Sequence, residues 1–434
     1  MRMRTRRFSP PWLLLPVLSA GLVTAVLTTT WVTVPPARPT PAPAPPAVVT
    51  RHAAAAPDTA ADRAVQLQAL LGQHSVLAAD VMRSRIRGDD DFVQAANAAL
   101  GRNTDAMTDL VRRLFGDAAA NAFAPQWSEH IVQLVAYAAA LGDQDDAARS
   151  AARERLVKFE GDLADFFAGA SNGRLKPADA RAAVAMHVQH LTTQADAYAA
   201  GDYAKADQLN REGYEHTYDM GLALADALLP AGDRAALRAP VWRLRSQLGK
   251  LLAEHAVLVE DVTRAAVTNT PDFDAAAKMI NANTQSLGAA MDTLFGAAAG
   301  KQFQALWAEH VEQLVAYSAG AAAKDTARQE AAKAQLRAFE QRMAKFLGGA
   351  TAGRMSGADL TKALTSHDGM LLRHADAYAA RDYPAAHDVA YQTYEHMFQV
   401  AQALADAFGA TVAARLPQGG AQTGYGGLAT TTGR

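Results

Sequence analysis

Single histidines interrupt the apolar stripes of four helical stretches in the first half of the chain. Read at helical spacing of three and four, each stripe of aliphatic and aromatic side chains contains one imidazole near its middle. These imidazoles belong to His74, His130, His187 and His216. Burying an imidazole without a partner costs on the order of 1–3 kcal/mol, so four of them are expected to share a ligand. Neutral imidazoles commonly share a transition-metal ion, and helical bundles build such sites from facing helices.

The second half of the chain repeats this arrangement. Its matching positions hold His255, His310, His367 and His396, so eight of the twelve histidines form four pairs. The pairing is informative because the two halves differ at many other core positions. A set kept together in both halves favours a ligand site over eight unrelated core histidines.

Two kinds of side chain accompany the histidines. An asparagine interrupts the second apolar stripe of each half, and a glutamate directly precedes two histidines of each half; these residues are Asn103, Asn283, Glu129, Glu215, Glu309 and Glu395. Adjacent helical residues point about 100° apart, so one ion is not expected to bind both members of a Glu-His pair. We expect these side chains to orient histidines of neighbouring helices; solvated glutamates are the alternative.

An internal repeat organises the chain. The stretch HADAYAARDYPAAHDVAYQTYEHM follows QADAYAAGDYAKADQLNREGYEHT at an offset of 180 residues, and the Trp127/Trp307 pair has the same offset. Apolar residues at helical spacing predict about six helices in each half, and few stretches alternate as strands do. The sequence therefore predicts an all-α fold of two tandem duplicated antiparallel bundles, residues 58–231 and 232–409.

Composition excludes several classes of function. The chain contains no cysteine, so disulfides, thiolate metal ligands and cysteine nucleophiles are excluded. The formal net charge is −2, and the first 57 residues contain six arginines and no acid, so the remainder is more acidic than the whole. An acidic body lacks the basic surface of a nucleic-acid binder, and we expect no nucleic-acid partner.

Both termini differ from the body. The basic segment MRMRTRR precedes an apolar run at 12–34, which is long enough to cross a bilayer, so residues 1–34 are predicted to be a membrane anchor or a signal peptide. Residues 35–57 form a Pro/Ala-rich linker, and residues 410–434 form a Gly-rich tail expected to be disordered. The Arg-rich end is expected to stay in the cytoplasm. The rest of the chain would then lie outside the cytoplasm, either anchored in the membrane or secreted.

The motifs LWAEH (306–310), ADAYAARDY (375–383) and YEHM (394–397) carry a resemblance. The sequence resembles uncharacterised exported all-helical bacterial modules that are often labelled copper amine oxidase-like. The resemblance implies copper at most. Copper amine oxidases use a tyrosine-derived quinone and a His-x-His motif on a large β fold, and this chain contains no His-x-His.

The residues together favour a metal-binding protein with two equivalent histidine sites. Imidazole ligands suit copper or zinc best, with iron as a further option, and storage, buffering or delivery are the expected roles. The alternative is a sensing or scaffold module whose buried His/Asn network is structural or binds a small molecule. The sequence contains no G-x-S-x-G, phosphate loop or H-E-x-x-H motif, so we expect no enzymatic activity and no nucleotide cofactor. A protein partner, if one exists, is expected to be another envelope protein, and the sequence does not identify it.

Overall fold

The structure, a computed structural model, describes residues 59–415, and these residues are almost entirely helical. They contain no strand, which confirms the all-α prediction. In chain order the helices are α1 (Ala60–Arg87), α2 (Asp90–Phe115), α3 (Asp117–Asp143), α4 (Asp146–Ala170), α5 (Pro177–Ala199), α6 (Tyr203–Leu228), α7 (Ala231–Arg234), a 3-10 turn (Ala235–Arg238), α8 (Pro240–Thr268), α9 (Phe273–Phe295), α10 (Ala297–Ala323), α11 (Thr326–Ala350), α12 (Gly357–Ala380) and α13 (Tyr383–Arg415).

Three predicted segments fall wholly or partly outside the described residues. The anchor at 1–34 and the linker at 35–57 lie outside them, as does the tail from 416 onward. The first residues of the predicted tail, 410–415, continue α13. Within the described part, no helix combines the length and apolar character needed to cross a membrane.

Local chemistry sets the helix boundaries. Thr59 caps α1 by accepting from the backbone N–H of Asp62, whose carboxylate accepts in return from the Thr59 N–H, a capping box. Gly88 ends α1 with φ at 73°, in the left-handed region that favours glycine. Pro177 occupies the first turn of α5, where its missing N–H costs nothing.

One central helix in each half brings the others together. In the first half α1 contacts α2, α3, α5 and α6, and consecutive helices also pack against each other. In the second half α8 contacts α9, α10, α12 and α13 in the same pattern. Side chains from the first, third and fifth long helices of a half can therefore meet on one side of its central helix.

The two halves share a buried interface. Helix α2 packs on α13, and α6 packs on α9. The Tyr214 hydroxyl donates to the Lys250 carbonyl at 3.0 Å, and the Tyr394 hydroxyl donates to the Ala69 carbonyl at 3.0 Å. These two tyrosines occupy matching positions of the sequence repeat, so each half contributes the same kind of contact to the other.

Candidate metal centres

Three histidines of the first half converge in its core. His74 on α1, His130 on α3 and His187 on α5 each place a ring nitrogen within 4.8 Å of the others, and we call this cluster the first triad. The Nε2 atoms of His74 and His130 lie 3.1 Å apart. None of the three side chains is more than 2% exposed. The sequence pattern predicted their burial, and the packing of α1, α3 and α5 brings them together.

The second half contains the equivalent cluster. His255 on α8, His310 on α10 and His367 on α12 form the second triad, with the same limit of 4.8 Å between ring nitrogens. The Nε2 atoms of His255 and His310 lie 3.3 Å apart. Nitrogens bound at 2.0–2.1 Å to a tetrahedral or trigonal ion lie roughly 3.3–3.6 Å from one another. One pair of nitrogens in each triad is therefore close to the spacing that a bound ion requires, and the third nitrogen lies within 4.8 Å of both.

Aromatic rings enclose both triads. Phe159 stacks on His130 at 4.3 Å between ring centroids, and Phe339 stacks on His310 at 4.7 Å. Trp127 lies 4.5 Å from His74, measured in the same way. These rings restrict rotation of the imidazoles and exclude water, as a defined binding geometry requires.

Burial keeps the imidazoles neutral. It lowers the pKa of His130 and of His367 to about 3. Burial first, and neighbouring histidines second, hold the pKa of His74, His187, His255 and His310 well below the ordinary value. Only the neutral form has the lone pair that binds a metal, so burial keeps a lone pair on each of the six rings at neutral pH.

Several ring nitrogens lack protein partners. Both nitrogens of His187 and both of His367 are buried without a hydrogen-bond partner among the described residues. In the first triad the Nδ1 atoms of His74 and His130 are also unpartnered. Most buried polar side-chain atoms in proteins are hydrogen-bonded, and leaving one without a partner lowers the free energy of unfolding by about 1–3 kcal/mol. A ligand bound at these clusters would supply partners for such atoms.

The second triad has partners that the first lacks. Trp307 donates its Nε1–H to His255 Nδ1 at 3.0 Å, whereas the matching Trp127 Nε1 and His74 Nδ1 are both unpartnered. An accepting Nδ1 places the proton of neutral His255 on Nε2, facing His310 Nε2. His310 must then carry its own proton on Nδ1.

Asp368 lies at the far end of this chain of contacts. Its Oδ1 is 3.2 Å from His310 Nδ1, close enough that a small rotation completes a hydrogen bond. Burial first, and Glu340 second, raise the pKa of Asp368 well above its ordinary value. Sequence reasoning missed Asp368, although it replaces Val188 of the first half, and a carboxylate at an apolar repeat position was the available signal.

The predicted four-histidine set is reduced to three in each half. His216 is half-buried, and its Nε2–H donates to the Ala183 carbonyl at 2.9 Å, so its proton already has a partner. His396 is likewise only partly buried. Both histidines lie outside the triads. Helical phase alone assigned both residues to the apolar face of their helices. It could not show that their side chains remain partly exposed and do not reach the triads.

The predicted asparagines bond elsewhere. Asn103 donates to the Leu70 carbonyl at 3.0 Å and to Gln73 at 3.1 Å. Asn283 donates to the Leu251 carbonyl at 3.0 Å and to Glu254. Both asparagines therefore attach the second helix of their half to its central helix instead of orienting a triad histidine.

The predicted glutamates are also engaged away from the triads. Glu129 is exposed and accepts from Gln133 of its own helix at 2.7 Å. Glu309 pairs with Arg342, and Glu215 lies 3.4 Å from Arg211. Glu395 is exposed. The 100° offset between neighbouring helical residues explains this result, because a glutamate beside a buried histidine points toward the helix surface.

Comparisons with known proteins add no assignment. Protein-family models, curated proteins and solved structures all give no match to this chain. Its function must therefore be argued from the triads themselves.

Proposed function

We propose that the protein binds transition-metal ions at the two histidine triads, one ion in each half. The observation that supports this most directly is the convergence of three buried, neutral imidazoles in each core, together with the lack of a partner for either ring nitrogen of His187 and of His367. A bound ion would use one lone pair of each ring and reduce the cost of the unpartnered nitrogens. Three protein ligands also leave a further coordination position for water or another donor.

Copper is the metal that fits the first triad best. This triad consists of imidazoles alone, enclosed by aromatic rings, so nothing in it offsets an ion's full charge. The cost of burying an ion grows with the square of its charge, which favours a monovalent ion over a divalent one. Cu(I) is monovalent and accepts imidazole ligands. The resemblance to modules labelled copper amine oxidase-like points to the same metal; zinc and iron are the alternatives.

The second triad is better suited to a divalent ion. Asp368 stands beside His310 and would ionise when a cation binds, since the positive charge lowers the free energy of the carboxylate. A carboxylate that accepts from a ligating histidine also fixes the ring and raises its basicity. We infer that the two sites differ in metal preference, which refines the prediction of two equivalent sites.

Storage, buffering or delivery outside the cytoplasm is the role we propose. The basic segment and apolar run at 1–34 support export or anchoring in a membrane, with the triads carried by the body beyond the linker. Fully buried ligands favour slow exchange and retention over rapid turnover of a substrate.

A non-metal function has one observation in its favour. The contacts from Trp307 through His255 and His310 to Asp368 form a nearly complete polar chain without any ion. Such a chain can fix helix register in a core. No equivalent chain links Trp127 to His74, where both polar atoms are unpartnered. We therefore rank the structural network below metal binding.

Elemental analysis tests the proposal. The full chain, purified without an affinity tag, is expected to bind close to two equivalents of copper, zinc or iron. The double variant His130→Ala/His310→Ala should bind none, and the control His216→Ala/His396→Ala should retain both equivalents. Circular dichroism would verify that each variant is folded. A folded wild-type chain that takes up no metal on titration would refute metal binding and leave the structural network.

A further inference from the structure

A pair of half-buried histidines lies beside the first triad. His190 on α5 and His216 on α6 have ring centroids 5.7 Å apart, with 37° between the ring planes. Within the two triads the distance between ring centroids ranges from 5.0 to 6.3 Å. Two imidazoles that bind one ion at about 2 Å have centroids roughly 5–6 Å apart. The pair therefore has the ring spacing of a two-ligand metal site.

This pair adjoins a ligand of the triad. His190 follows His187 by one helical turn on α5. The Nε2–H of His216 donates to the carbonyl of Ala183, which lies one turn before His187 on the same helix. That hydrogen bond makes Nδ1 the lone-pair nitrogen of the neutral His216 ring. After burial and His130, the two outer rings are the next causes that hold the pKa of His187 well below its ordinary value, as their proximity to it requires.

A glycine on α6 makes room for the pair. A Cβ atom at Gly213 would lie 3.0 Å from Cβ of His190, so the glycine allows α6 to approach α5 at this point. The same Cβ would lie 3.6 Å from Oγ of Ser75, the residue that follows His74 on α1. This hydroxyl is buried and has no hydrogen-bond partner among the described residues. An unpartnered oxygen therefore lies where the helices of the pair meet the central helix.

Three residues of this region change together in the sequence repeat. The positions of the second half that match His190, Gly213 and Ser75 hold Met370, Thr393 and Ala256. The triad histidines, in contrast, are the same in both halves. The second half forms the same helices and the same triad without these three residues, so helix packing does not require them. A set of this kind favours a ligand site that belongs to the first half.

We propose that His190 and His216 form an outer Cu(I) site that loads the first triad through His187. The proposal rests on metal binding at that triad, whose fully buried ligands require a path by which the ion enters. The ion binds the two half-buried imidazoles first, then exchanges onto His187 one turn away, and the Ser75 oxygen is a further donor near this path. Ligands exchange one at a time, and the oxidation state of the ion does not change. With two imidazoles instead of three, the outer site holds the ion less tightly than the triad does.

The rate of Cu(I) uptake by the full chain tests this route. Every protein compared carries His310→Ala, which leaves the first triad as the site that fills, and Cu(I) is offered without oxygen as the complex of a chromophoric chelator. His190→Leu should slow uptake at least about 10-fold, because losing a metal contact lowers occupancy of the outer site by that order. It should still reach one equivalent. His216→Leu should act in the same way, and the double variant should be no slower than either single variant, because one imidazole does not form the site alone.

His396→Leu is the matched control. It removes the half-buried histidine that occupies the position of His216 in the second half, so it should leave the uptake rate unchanged. Circular dichroism and the final metal content verify that each variant is folded and that its first triad is intact. Unchanged uptake in a folded His190→Leu variant would overturn the route alone, as would equal slowing by His396→Leu. A His310→Ala chain that takes up no Cu(I) at equilibrium would instead refute metal binding at the first triad, and the route with it.

Discussion

Replacing His187 with leucine separates a metal site from a structural core. Both ring nitrogens of His187 are buried without a hydrogen-bond partner, and the side chain is 2% exposed. Leaving such atoms unpartnered costs about 1–3 kcal/mol, and an apolar side chain of similar volume avoids that cost. Metal-free His187→Leu is therefore expected to be more stable than the metal-free wild type by about 1–3 kcal/mol.

Metal should reduce or reverse this difference in stability. An ion at 100 times its dissociation constant stabilises the folded protein by about 2.7 kcal/mol per site. The wild type gains this from both triads, whereas His187→Leu gains it from the second triad alone. Urea unfolding, followed by circular dichroism in chelator and in excess metal, measures both differences. The expected signature is a variant that is more stable without metal and gains less from adding it.

The control for this comparison is His216→Leu. His216 lies outside the triad and donates to the Ala183 carbonyl, so its loss should cost about 1 kcal/mol and leave the metal response unchanged. The reasoning fails if metal-free His187→Leu is less stable than the wild type and metal stabilises neither protein. That result would mean that the imidazole serves packing or helix register.

Three further predictions follow from the triads. Burial lowers the pKa of His130 and His367 to about 3, below the unfolded value of about 6.5, so the metal-free folded chain binds fewer protons than the unfolded chain. Each of these residues should therefore lower the free energy of unfolding by about 2 kcal/mol at pH 5 relative to pH 8, and buried carboxyls with a raised pKa should partly offset this loss. Urea unfolding at the two pH values measures the difference. Trp307→Phe frees Nδ1 of its histidine partner and should raise metal affinity at the second triad roughly 2–10-fold in competition titrations, whereas Trp127→Phe should leave the first triad unchanged. Asp368→Asn should weaken only the second site, about 10–100-fold for a divalent ion, and an equal loss at both sites would contradict its assignment.

The sequence by itself determined the helical class and the set of histidines that contains the candidate ligands. Apolar residues at spacing three and four, with caps such as Thr59 and stops such as Gly88, specify long helices through local backbone chemistry. The recurrence of His130 at His310 singled out the functional candidates, because burying an imidazole is unfavourable wherever it occurs.

Tertiary structure alone decided which histidines meet. Helical phase assigns a side chain to a face but not to a depth, so it could not distinguish His187, inside the first triad, from His216 at its edge. It also could not place Asp368 beside His310, because these residues lie on two helices that are distant in sequence. An apolar cavity of about 230 Å³ in the core of the second half likewise depends on the combined volumes of side chains from six helices. Local periodicity is encoded in short stretches of chain, whereas convergence and empty space depend on how the helices pack.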